Sequence, residues 1–377
     1  MSHQGRDVVV VGHAADRTGP PLALLRALRA LRESTDLDIE LLLFRGGPLE
    51  EAFAALVPTT VIGEPVQPHD DRLRTRARSA ATNLRLARAV PAMRRARLIY
   101  LNTSWTVRAL ALLGPGAPPI VAHVHELDLD IGDLLPSRDL RRLRQRPEHY
   151  IVGTPVAADN LVHRHGVAPD RIHLQPYFVE PTEPDAVRRP DTVPDDALLI
   201  GACGVTIWRK APDLFVQLAS RILESTDRDM HFAWIGGTPG GPRELEVPAD
   251  IEALGLSDRV HFVGAQPDPW SWLAGLDVLV LPSREDTFPL VCLEAGSLAV
   301  PIVTFDQGGI PDLVRRADGG AVVPHLSVEA MADAVLGLTE DEPGRRAAGI
   351  RLAEHVRAEH GHDAGEDLAR TIASLVP

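Results

Sequence analysis

Short apolar runs alternate with helix-like patterns through the first half of the chain. Residues 7–12 (DVVVVG) have the pattern of a buried strand, and similar runs predict strands at 39–44, 98–101, 119–123 and 150–153. Pro20 opens a segment whose leucines are spaced three and four residues apart, which predicts a helix with one apolar face. A further helix is predicted at 48–56. Strands that alternate with helices indicate a parallel sheet covered by helices on both faces.

The alternation stops at a proline-rich segment and then begins again. Residues 176–196 contain five prolines and show no apolar period. Beyond them, six more strands are predicted at 198–203, 232–235, 260–263, 278–281, 301–305 and 321–323. The predicted fold class is therefore α/β, with two domains of similar size whose parallel sheets face each other across a cleft.

The borders of these domains follow from the same pattern. We predict a first domain over 1–180, a proline-rich linker over 181–197 and a second domain over 198–360. The last segment, 361–377, is predicted to be a helix that packs back on the first domain. A linker of this kind allows the cleft between two domains to close.

Composition excludes several classes of protein. Of the 377 residues, 45% are hydrophobic and 24% are charged, which is typical of a globular chain and not of a disordered one. The net charge of −13 argues against general nucleic-acid binding. The two cysteines, Cys203 and Cys292, form no disulfide framework, and no apolar run reaches the ~18 residues of a membrane span. We therefore expect a cytoplasmic protein.

One segment is strongly basic within this acidic chain. Residues 72–97 contain nine arginines, and no acid occurs from Arg72 through His125. Such a face is typical of a contact with an anionic membrane, here at its inner surface, or with an acidic acceptor. A solvated helix in an arginine-biased chain explains the same pattern equally well, so both interpretations stay open.

The densest chemical signal lies at residues 281–303 (LPSREDTFPLVCLEAGSLAVPIV). The pattern predicts a strand end, a loop with Asp286, and a helix that contains Glu294 eight residues later. We predict that Pro289 lies in the first turn of that helix and that its start, at Thr287, Phe288, Pro289 and Leu290, forms an anion site. A phosphate flanked by two acids that bind hydroxyls is what a nucleotide sugar requires. A capping acid followed by a solvated glutamate is the alternative.

A second signal lies at residues 201–214 (GACGVTIWRKAPDL). Lys210 is the only lysine of the chain, and with Arg209 it precedes a helix that begins near Pro212. Two cations beside a helix N-terminus suit a diphosphate, and the compact ammonium fits where a guanidinium would not. A solvated basic pair is the alternative.

These two segments, with VPIV and GGIPDLV downstream, resemble the donor-site signature of the retaining glycosyltransferases of family 4, also called glycosyl transferase group 1. The resemblance covers most of the chain and is strongest at 201–323. It implies two Rossmann-like domains, the GT-B fold. It also implies sugar transfer, with retention and without metal or cofactor, from a UDP- or GDP-linked donor to a hydroxyl of a glycan, lipid-linked or small-molecule acceptor.

The resemblance assigns roles to residues of the donor side. Glu294 matches the glutamate that grips the ribose hydroxyls, and Asp286 stands where the family has a longer acid that holds the donor sugar. Lys210 matches the family lysine, but Val205 stands where the family has an arginine. We hypothesise that Arg209 supplies the missing charge.

Residues of the first half fit the same family. Gly19 matches the glycine of the first loop, which approaches the donor phosphate, and Asn102 and Thr103 follow a strand on the acceptor side. His125 matches a histidine that faces the transferring sugar, so Lys210, Asp286 and His125 are the catalytic candidates. In the second half, Gly264 forms a predicted turn against the nucleobase.

Two other classes of function remain open. A zinc hydrolase is possible in principle, since His123 and His125 share one face of a strand, with Asp128 or Asp130 as a third ligand. A catalytically silent subunit that binds a nucleotide sugar would also explain why Val205 and Asp286 depart from the family pattern.

Overall fold

The computed structural model describes residues 5–63, 72–114, 116–237 and 243–377. The chain folds into two units, one formed by Met1–Phe178 with Asp363–Pro377 and one formed by Val179–His362. The segment predicted as a linker, 181–197, belongs to the second unit, where the Arg188 N–H donates to the Ser271 carbonyl at 2.8 Å.

The first unit is built on a parallel sheet of seven strands. Its strands are β1 (Val8–Gly12), β2 (Ile39–Leu43), β3 (Thr59–Val61), β4 (Leu98–Asn102), β5 (Ile120–Val124), β6 (His149–Val152) and β7 (Ile172–Leu174). Their order across the sheet is β3-β2-β1-β4-β5-β6-β7. In β1, Val8 and Val10 face one apolar cluster while Val9 and Val11 face the other. The sheet is therefore buried on both sides.

Helices cover both faces of this sheet. They are α1 (Gly19–Ser34), α2 (Glu50–Leu56), α3 (Arg72–Arg95), α4 (Asp128–Leu134), α5 (Ser137–Gln145) and α6 (Pro155–His165), with 3₁₀ helices at Ser104–Leu112 and Pro169–Arg171. Pro20 and Pro21 stand in the first turn of α1, where a missing N–H costs nothing. The C-terminal residues Leu368, Ala369 and Ile372 lie in the same apolar cluster as α1.

The second unit repeats the architecture with six parallel strands. They are β8 (Leu198–Cys203), β9 (Met230–Ile235), β10 (Val260–Gly264), β11 (Val278–Leu281), β12 (Ile302–Phe305) and β13 (Gly320–Val323), in the order β10-β9-β8-β11-β12-β13. The helices are α7 (Pro212–Ser225), α8 (Arg243–Ala253), α9 (Pro269–Leu273), α10 (Leu290–Ser297), α11 (Ile310–Ala317), α12 (Val328–Glu340) and α13 (Glu342–Glu359). A last helix, α14 (His362–Ser374), carries the residues that pack beside α1.

The predicted α/β class with two parallel-sheet domains is confirmed, and the structure adds two strands. The edge strands β3 and β7 were not predicted, because each has only three residues and none of them is buried. The helix predicted at 48–56 begins at Glu50.

The basic segment 72–97 is helical up to Arg95. The side chains of its first half lie outside the described residues. The described arginines Arg88, Arg94, Arg95 and Arg97 are exposed, which fits both interpretations of this segment. Among the described helices, none combines the length and apolarity that a membrane crossing needs.

Candidate functional site

Each sheet has one topological switch point, a pair of neighbouring strands at which the order of the strands along the chain reverses. In the first sheet this point lies between β1 and β4, and in the second between β8 and β11. Ligands of open parallel sheets bind at the carboxyl ends of the strands next to such a point. The loops that follow these four strands contain most of the residues singled out from the sequence.

In the second unit, the only lysine meets the first acid of the predicted pair. The Lys210 ammonium and the Asp286 carboxylate form an ion pair, and their side chains are only 14% and 11% exposed. Arg209 Nη1 lies 3.4 Å from Asp286 Oδ2 and donates to the Glu285 carbonyl at 3.0 Å. The structure therefore brings Arg209, Lys210 and Asp286 together from loops that are 76 residues apart.

Arg284 joins the loop after β8 to the loop after β11. Its guanidinium binds the Asp213 carboxylate with two hydrogen bonds of 3.0 and 2.6 Å and donates to the Trp208 carbonyl at 2.9 Å. The Arg284 N–H also donates to the Arg209 carbonyl at 2.8 Å. Paired bonds of a guanidinium to a carboxylate fix direction as well as distance, so this side chain holds Lys210 and Asp286 in register.

The loop after β12 supports Asp286 from its other side. The Asp286 N–H donates to Gln307 Oε1 at 3.0 Å. Gly308 has φ +74°, and a Cβ at this position would lie 2.0 Å from the Asp286 carbonyl oxygen. Only glycine allows both this backbone conformation and this approach.

The second predicted acid lies on α10. Glu294 is 7% exposed. Burial raises the pKa of the Cys203 thiol to about 12, and the Glu294 carboxylate contributes to this rise, so the thiol stays protonated. Pro289 was predicted to lie in the first turn of this helix, but it is the N-cap of α10. Because proline has no N–H, Pro289 cannot donate a hydrogen bond to an anion. Thr287 and Leu290 are buried. The Phe288 ring packs against the His360 ring, with ring centroids 5.6 Å apart.

Gly204, Gly236 and Gly264, at the ends of three strands, lie between Lys210 and the turn predicted to bind the nucleobase. Gly264 ends β10 with φ +72°, and its carbonyl accepts the Gly236 N–H at 2.9 Å. A Cβ on Gly236 would lie 2.4 Å from the Gly204 carbonyl oxygen, and one on Gly204 would touch the Lys210 stem at 3.5 Å. The backbone of three strand ends therefore packs closely beside the ammonium-bearing side chain.

In the first unit, His125 is hydrogen bonded at both ring nitrogens. Its Nδ1 lies 2.8 Å from Tyr177 Oη and its Nε2 lies 3.0 Å from Asn102 Oδ1. The Asn102 amide nitrogen donates to the Pro20 carbonyl at 3.0 Å, so its oxygen accepts and His125 Nε2 carries the proton. The predicted residues His125 and Asn102 are thus joined in one network at the start of α1.

Burial keeps the histidines of this network neutral. It lowers the pKa of His125 well below its ordinary value, and the neighbouring His123 and His13 lower it further. Burial also lowers the pKa of His123 to about 3, and His123 Nδ1 is hydrogen bonded to Tyr100 Oη. Neutral rings donate from one nitrogen and accept at the other, which matches the partners of His125.

The acceptor-side residues lie where β4 ends. The backbone of Thr103 has a φ of 103°, a value that residues other than glycine rarely adopt. Both Thr103 Oγ1 and Ser104 Oγ are buried and have no hydrogen-bond partner among the described residues. The Glu126 carboxylate accepts the N–H groups of Ser104 at 3.2 Å and His125 at 3.0 Å. Strained backbone and unpaired polar atoms concentrate at functional sites.

Gly19 begins α1 on the same side of the sheet. A Cβ at this position would meet nothing within 4 Å among the described residues, and the close approach of the donor phosphate to Gly19 stays a prediction.

The zinc alternative finds little support in this geometry. The rings of His123 and His125 are neighbours with centroids 4.1 Å apart, and three of their four nitrogens are hydrogen bonded to Tyr100, Tyr177 and Asn102. His123 Nε2 is buried and has no hydrogen-bond partner among the described residues. Asp128 lies 3.5 Å from His165 instead, and the side chain of Asp130 is outside the described residues. Among the described residues no group of three or more potential metal ligands is found.

Sequence reasoning missed several residues that shape these sites. Tyr177 lies in the proline-rich segment, where the adjacent aromatic residues Tyr177 and Phe178 were the only signal. Arg284 and Asp213 gave no signal, because their pairing depends on the fold. Gly308 begins the quoted GGIPDLV segment and Gln307 directly precedes it, and the double glycine was the feature that could have identified a close backbone approach.

Comparisons with known proteins match both halves of the chain to glycosyltransferase families. Residues 22–183 match the family described as Glycosyltransferase Family 4, and residues 196–341 match the one described as Glycosyl transferases group 1. The D-inositol 3-phosphate glycosyltransferase of Kribbella flavida is 31% identical over 222 residues, which are 56% of this chain and 52% of the relative. The lipopolysaccharide core biosynthesis mannosyltransferase LpcC of Rhizobium leguminosarum bv. viciae is 32% identical over 166 residues, 42% of this chain and 46% of the relative. The matches thus span about half the length of these relatives.

Solved structures match nearly the whole chain. The Anabaena protein HepE in complex with UDP-glucose has a TM-score of 0.79 and 17% identity, with 97% of this chain and 99% of that chain covered. Sucrose-phosphate synthase from Thermosynechococcus elongatus has a TM-score of 0.76 and 17% identity, with 98% of each chain covered. Both likenesses concern the fold, which is the GT-B fold of two Rossmann-like domains. The chain belongs to glycosyltransferase family 4.

Proposed function

We propose that this chain transfers a sugar from a nucleoside-diphosphate sugar, linked to UDP or GDP, to a hydroxyl group of an acceptor. The donor lies on the second unit and the acceptor on the first. The observation that supports this most strongly is the convergence of Lys210 and Arg209 on Asp286 beside the start of α10. The name of the HepE complex, with UDP-glucose, favours a UDP-linked donor.

The cations of this site suit the leaving group of the reaction. When the bond between the sugar carbon and the phosphate oxygen breaks, negative charge grows on the diphosphate. Lys210 and Arg209 supply two positive charges in a largely buried place, where such charges stabilise a transition state most. In this proposal they perform the task that a metal ion has in other transferases, so transfer proceeds without one.

The acids serve the hydroxyl groups of the donor. Asp286 is held by Lys210, Arg209 and Gln307, and its free lone pairs accept hydrogen bonds from the sugar. Glu294, buried on α10, binds the ribose hydroxyls. The aspartate reaches about one methylene less far than the family glutamate, and in this proposal its ion pair with Lys210 positions the shorter acid.

His125 acts as a neutral positioning group in this proposal. Because both of its ring nitrogens already have partners, a hydrogen bond to the donor requires Asn102 or Tyr177 to release one of them. Transfer with retention needs no enzyme nucleophile: the acceptor oxygen bonds to the sugar carbon on the face that the phosphate leaves. The acceptor proton passes to the departing phosphate oxygen.

Calorimetric titration and activity assays test this function together. Wild-type protein in EDTA should bind UDP or GDP, and it should transfer or hydrolyse the matching sugar donors. Glu294→Ala should weaken binding of that nucleotide roughly ten- to a hundredfold, because a carboxylate that accepts two hydroxyls contributes about 1.5–3 kcal/mol. Glu354→Ala, on α13, is the matched control. Tight nucleotide binding without any turnover of a donor panel would instead identify a silent binding subunit.

A further inference from the structure

Tyr177 is buried, although it belongs to the proline-rich segment of the chain. Its ring packs directly on the backbone of Gly153, which follows β6: a Cβ on Gly153 would lie 2.0 Å from Tyr177 Cε2. The same ring lies beside the rings of His123 and His125, with centroids 6.3 and 5.7 Å away. A glycine backbone and two imidazole rings therefore fix the position of the phenol by packing.

The backbone that carries Tyr177 is anchored on both sides of it within the first unit. Before it, the side-chain amide of Gln175 donates to Thr371 Oγ1 at 2.9 Å. After it, the Phe178 carbonyl accepts a hydrogen bond from Arg26 Nη1 at 3.3 Å. The Tyr177 hydroxyl therefore stands at a defined place and not on a loose loop.

The hydrogen bond between Tyr177 and His125 has one direction. The Asn102 amide nitrogen donates to the Pro20 carbonyl, so the Asn102 oxygen accepts from His125 Nε2, which carries the ring proton. Nδ1 of this neutral ring is then an acceptor, and the Tyr177 hydroxyl donates to it at 2.8 Å. His125 therefore donates from Nε2 and is held from behind at Nδ1.

Of the two ring nitrogens, Nε2 is the one on the side of the predicted donor phosphate. Its partner Asn102 is bonded to the carbonyl of Pro20, which directly follows Gly19, the glycine predicted to approach that phosphate. An oxygen of the donor that accepts from Nε2 takes the place of the Asn102 oxygen. Tyr177 is then the partner that still orients the ring, and it keeps the buried Nδ1 from losing its donor.

We propose that Tyr177 is a positioning residue for sugar transfer, which holds His125 with its Nε2–H directed at an oxygen of the bound donor. The proposal rests on the proposed function and adds to it a residue that acts through His125. In it, Tyr177 touches no substrate, and no bond forms or breaks at either side chain. Only the acceptor of the Nε2–H changes, from the Asn102 oxygen to an oxygen of the donor.

Tyr177→Phe tests this proposal, because it removes the hydroxyl and keeps the ring. Turnover is measured as release of UDP from UDP-glucose, or of GDP from GDP-mannose if the wild type binds GDP instead. The variant should lower kcat roughly three- to tenfold, as expected for the loss of one hydrogen bond between neutral groups. Its affinity for UDP or GDP should equal that of the wild type, because the hydroxyl acts on the sugar side of the donor.

Tyr150→Phe is the matched control. The Tyr150 hydroxyl is also buried in the first unit, but it donates to the Leu143 carbonyl and not to a histidine. This variant should lower the free energy of unfolding and keep the wild-type kcat. A similar loss of kcat in both tyrosine variants would show that only the stability of the first unit matters.

A double variant shows whether Tyr177 acts through His125. In the background of His125→Ala, the substitution Tyr177→Phe should lower kcat no further, because its route to the donor is already removed. Additive losses of kcat, or an unchanged kcat in Tyr177→Phe alone, would overturn the proposal. If His125→Ala leaves too little turnover for this comparison, the protonation state of the His125 ring decides.

Long-range ¹H–¹⁵N NMR of protein with ¹⁵N-labelled histidine reports that state, with His125→Ala to assign the resonances. In the wild type, His125 should carry its proton on Nε2. In Tyr177→Phe its Nδ1 resonance should move downfield, because this nitrogen loses its donor, and Tyr150→Phe should leave it in place. A wild-type ring protonated at Nδ1, or an Nδ1 resonance that Tyr177→Phe does not move, would overturn the proposal.

These readouts separate a failure of the proposal from a failure of the proposed function. A wild type that turns over no nucleotide sugar would contradict the proposed function, and the role of Tyr177 in transfer with it. A wild type that turns over its donor, with a kcat that Tyr177→Phe leaves unchanged, would contradict the role of Tyr177 alone. If Tyr177→Phe fails to fold, the wild-type spectrum decides by the nitrogen that carries the His125 proton.

Discussion

The oppositely charged side chains of Lys210 and Asp286 form an ion pair that is little exposed to water. Such a pair is stable only when its environment supplies further hydrogen bonds. Here Arg209 lies 3.4 Å from the same carboxylate oxygen, and Gln307 binds the Asp286 N–H. At the Asp286 carboxylate itself, two cations therefore face one acid.

Gly308 is the residue on which the position of Asp286 most depends. Gly308→Ala should destabilise the fold by roughly 1–3 kcal/mol and lower kcat/KM, because its φ of +74° and the nearby Asp286 carbonyl leave no room for a Cβ. Chemical denaturation and donor-turnover assays measure the two effects.

A second glycine provides the control for this substitution. Gly337 lies inside α12, and a Cβ there would meet nothing within 4 Å. Gly337→Ala should therefore stabilise the protein by about 0.5–1 kcal/mol and leave activity unchanged. Equal behaviour of the two variants would contradict the role given to Gly308.

At the scale of elements, the site is formed by loops that follow different strands. The loop after β8 carries Lys210 and the loop after β11 carries Asp286, and the two are joined through Arg284. Asp213, in the first turn of α7, orients Arg284 with two hydrogen bonds. The start of α7 is thus linked to the loop that precedes α10.

Arg284→Ala should lower kcat/KM for the donor more than it lowers stability, because it releases two loops and leaves the core intact. Removing a largely buried carboxylate–guanidinium pair of this kind should cost about 1–3 kcal/mol. Asp213→Asn should act in the same direction, and the double variant should be no worse than Arg284→Ala.

The control for this pair is an exposed one. Arg221 on α7 pairs with Glu329 at 3.0 Å, with both side chains largely exposed. Arg221→Ala should change the free energy of unfolding by less than about 0.5 kcal/mol. Additive effects of the Arg284 and Asp213 substitutions on kcat/KM would show that the two side chains act separately.

Much of this architecture follows from local patterns, and the remainder depends on the fold. The buried runs of β1, β8 and β11 predicted a parallel sheet because both faces of such strands are apolar. Lys210 was singled out because it is the only lysine, and Asp286 because it precedes a helix. Their direct contact was not predictable, since it spans 76 residues. The partners of His125 were missed for the same reason: Tyr177 is 52 residues away.

At the scale of the whole molecule, the first unit buries several neutral histidines. Burial lowers the pKa of His123 to about 3 and also lowers those of His13, His125, His165 and His173. In the unfolded chain these groups bind protons as the pH falls below their ordinary pKa of 6.5, whereas in the folded chain they bind protons only at a lower pH. The unfolded state therefore binds more protons, and stability falls as the pH falls below 6.5.

Acidification should accordingly destabilise the protein. Between pH 6.5 and 5.5, His123 alone should cost roughly 1 kcal/mol of unfolding free energy. His123→Asn, which keeps an acceptor for the Tyr100 hydroxyl, should flatten the pH dependence by about that amount. Urea denaturation at several pH values measures it.

The exposed His163 on α6 provides the matched control. His163→Asn should leave the pH dependence as in the wild type, because its side chain meets water in both states. A slope that His123→Asn does not change would contradict the neutral, buried state of His123.

The most direct test of the donor site is calorimetric titration of UDP and GDP into wild-type protein and Lys210→Ala, in the presence of EDTA. We expect the wild type to bind one of these nucleotides without metal. The Lys210→Ala variant should bind it roughly ten- to a hundredfold more weakly, since a charge-assisted bond contributes about 1.5–3 kcal/mol. Equal affinity of the two proteins, or wild-type binding that EDTA abolishes, would contradict the assignment of this lysine to the diphosphate.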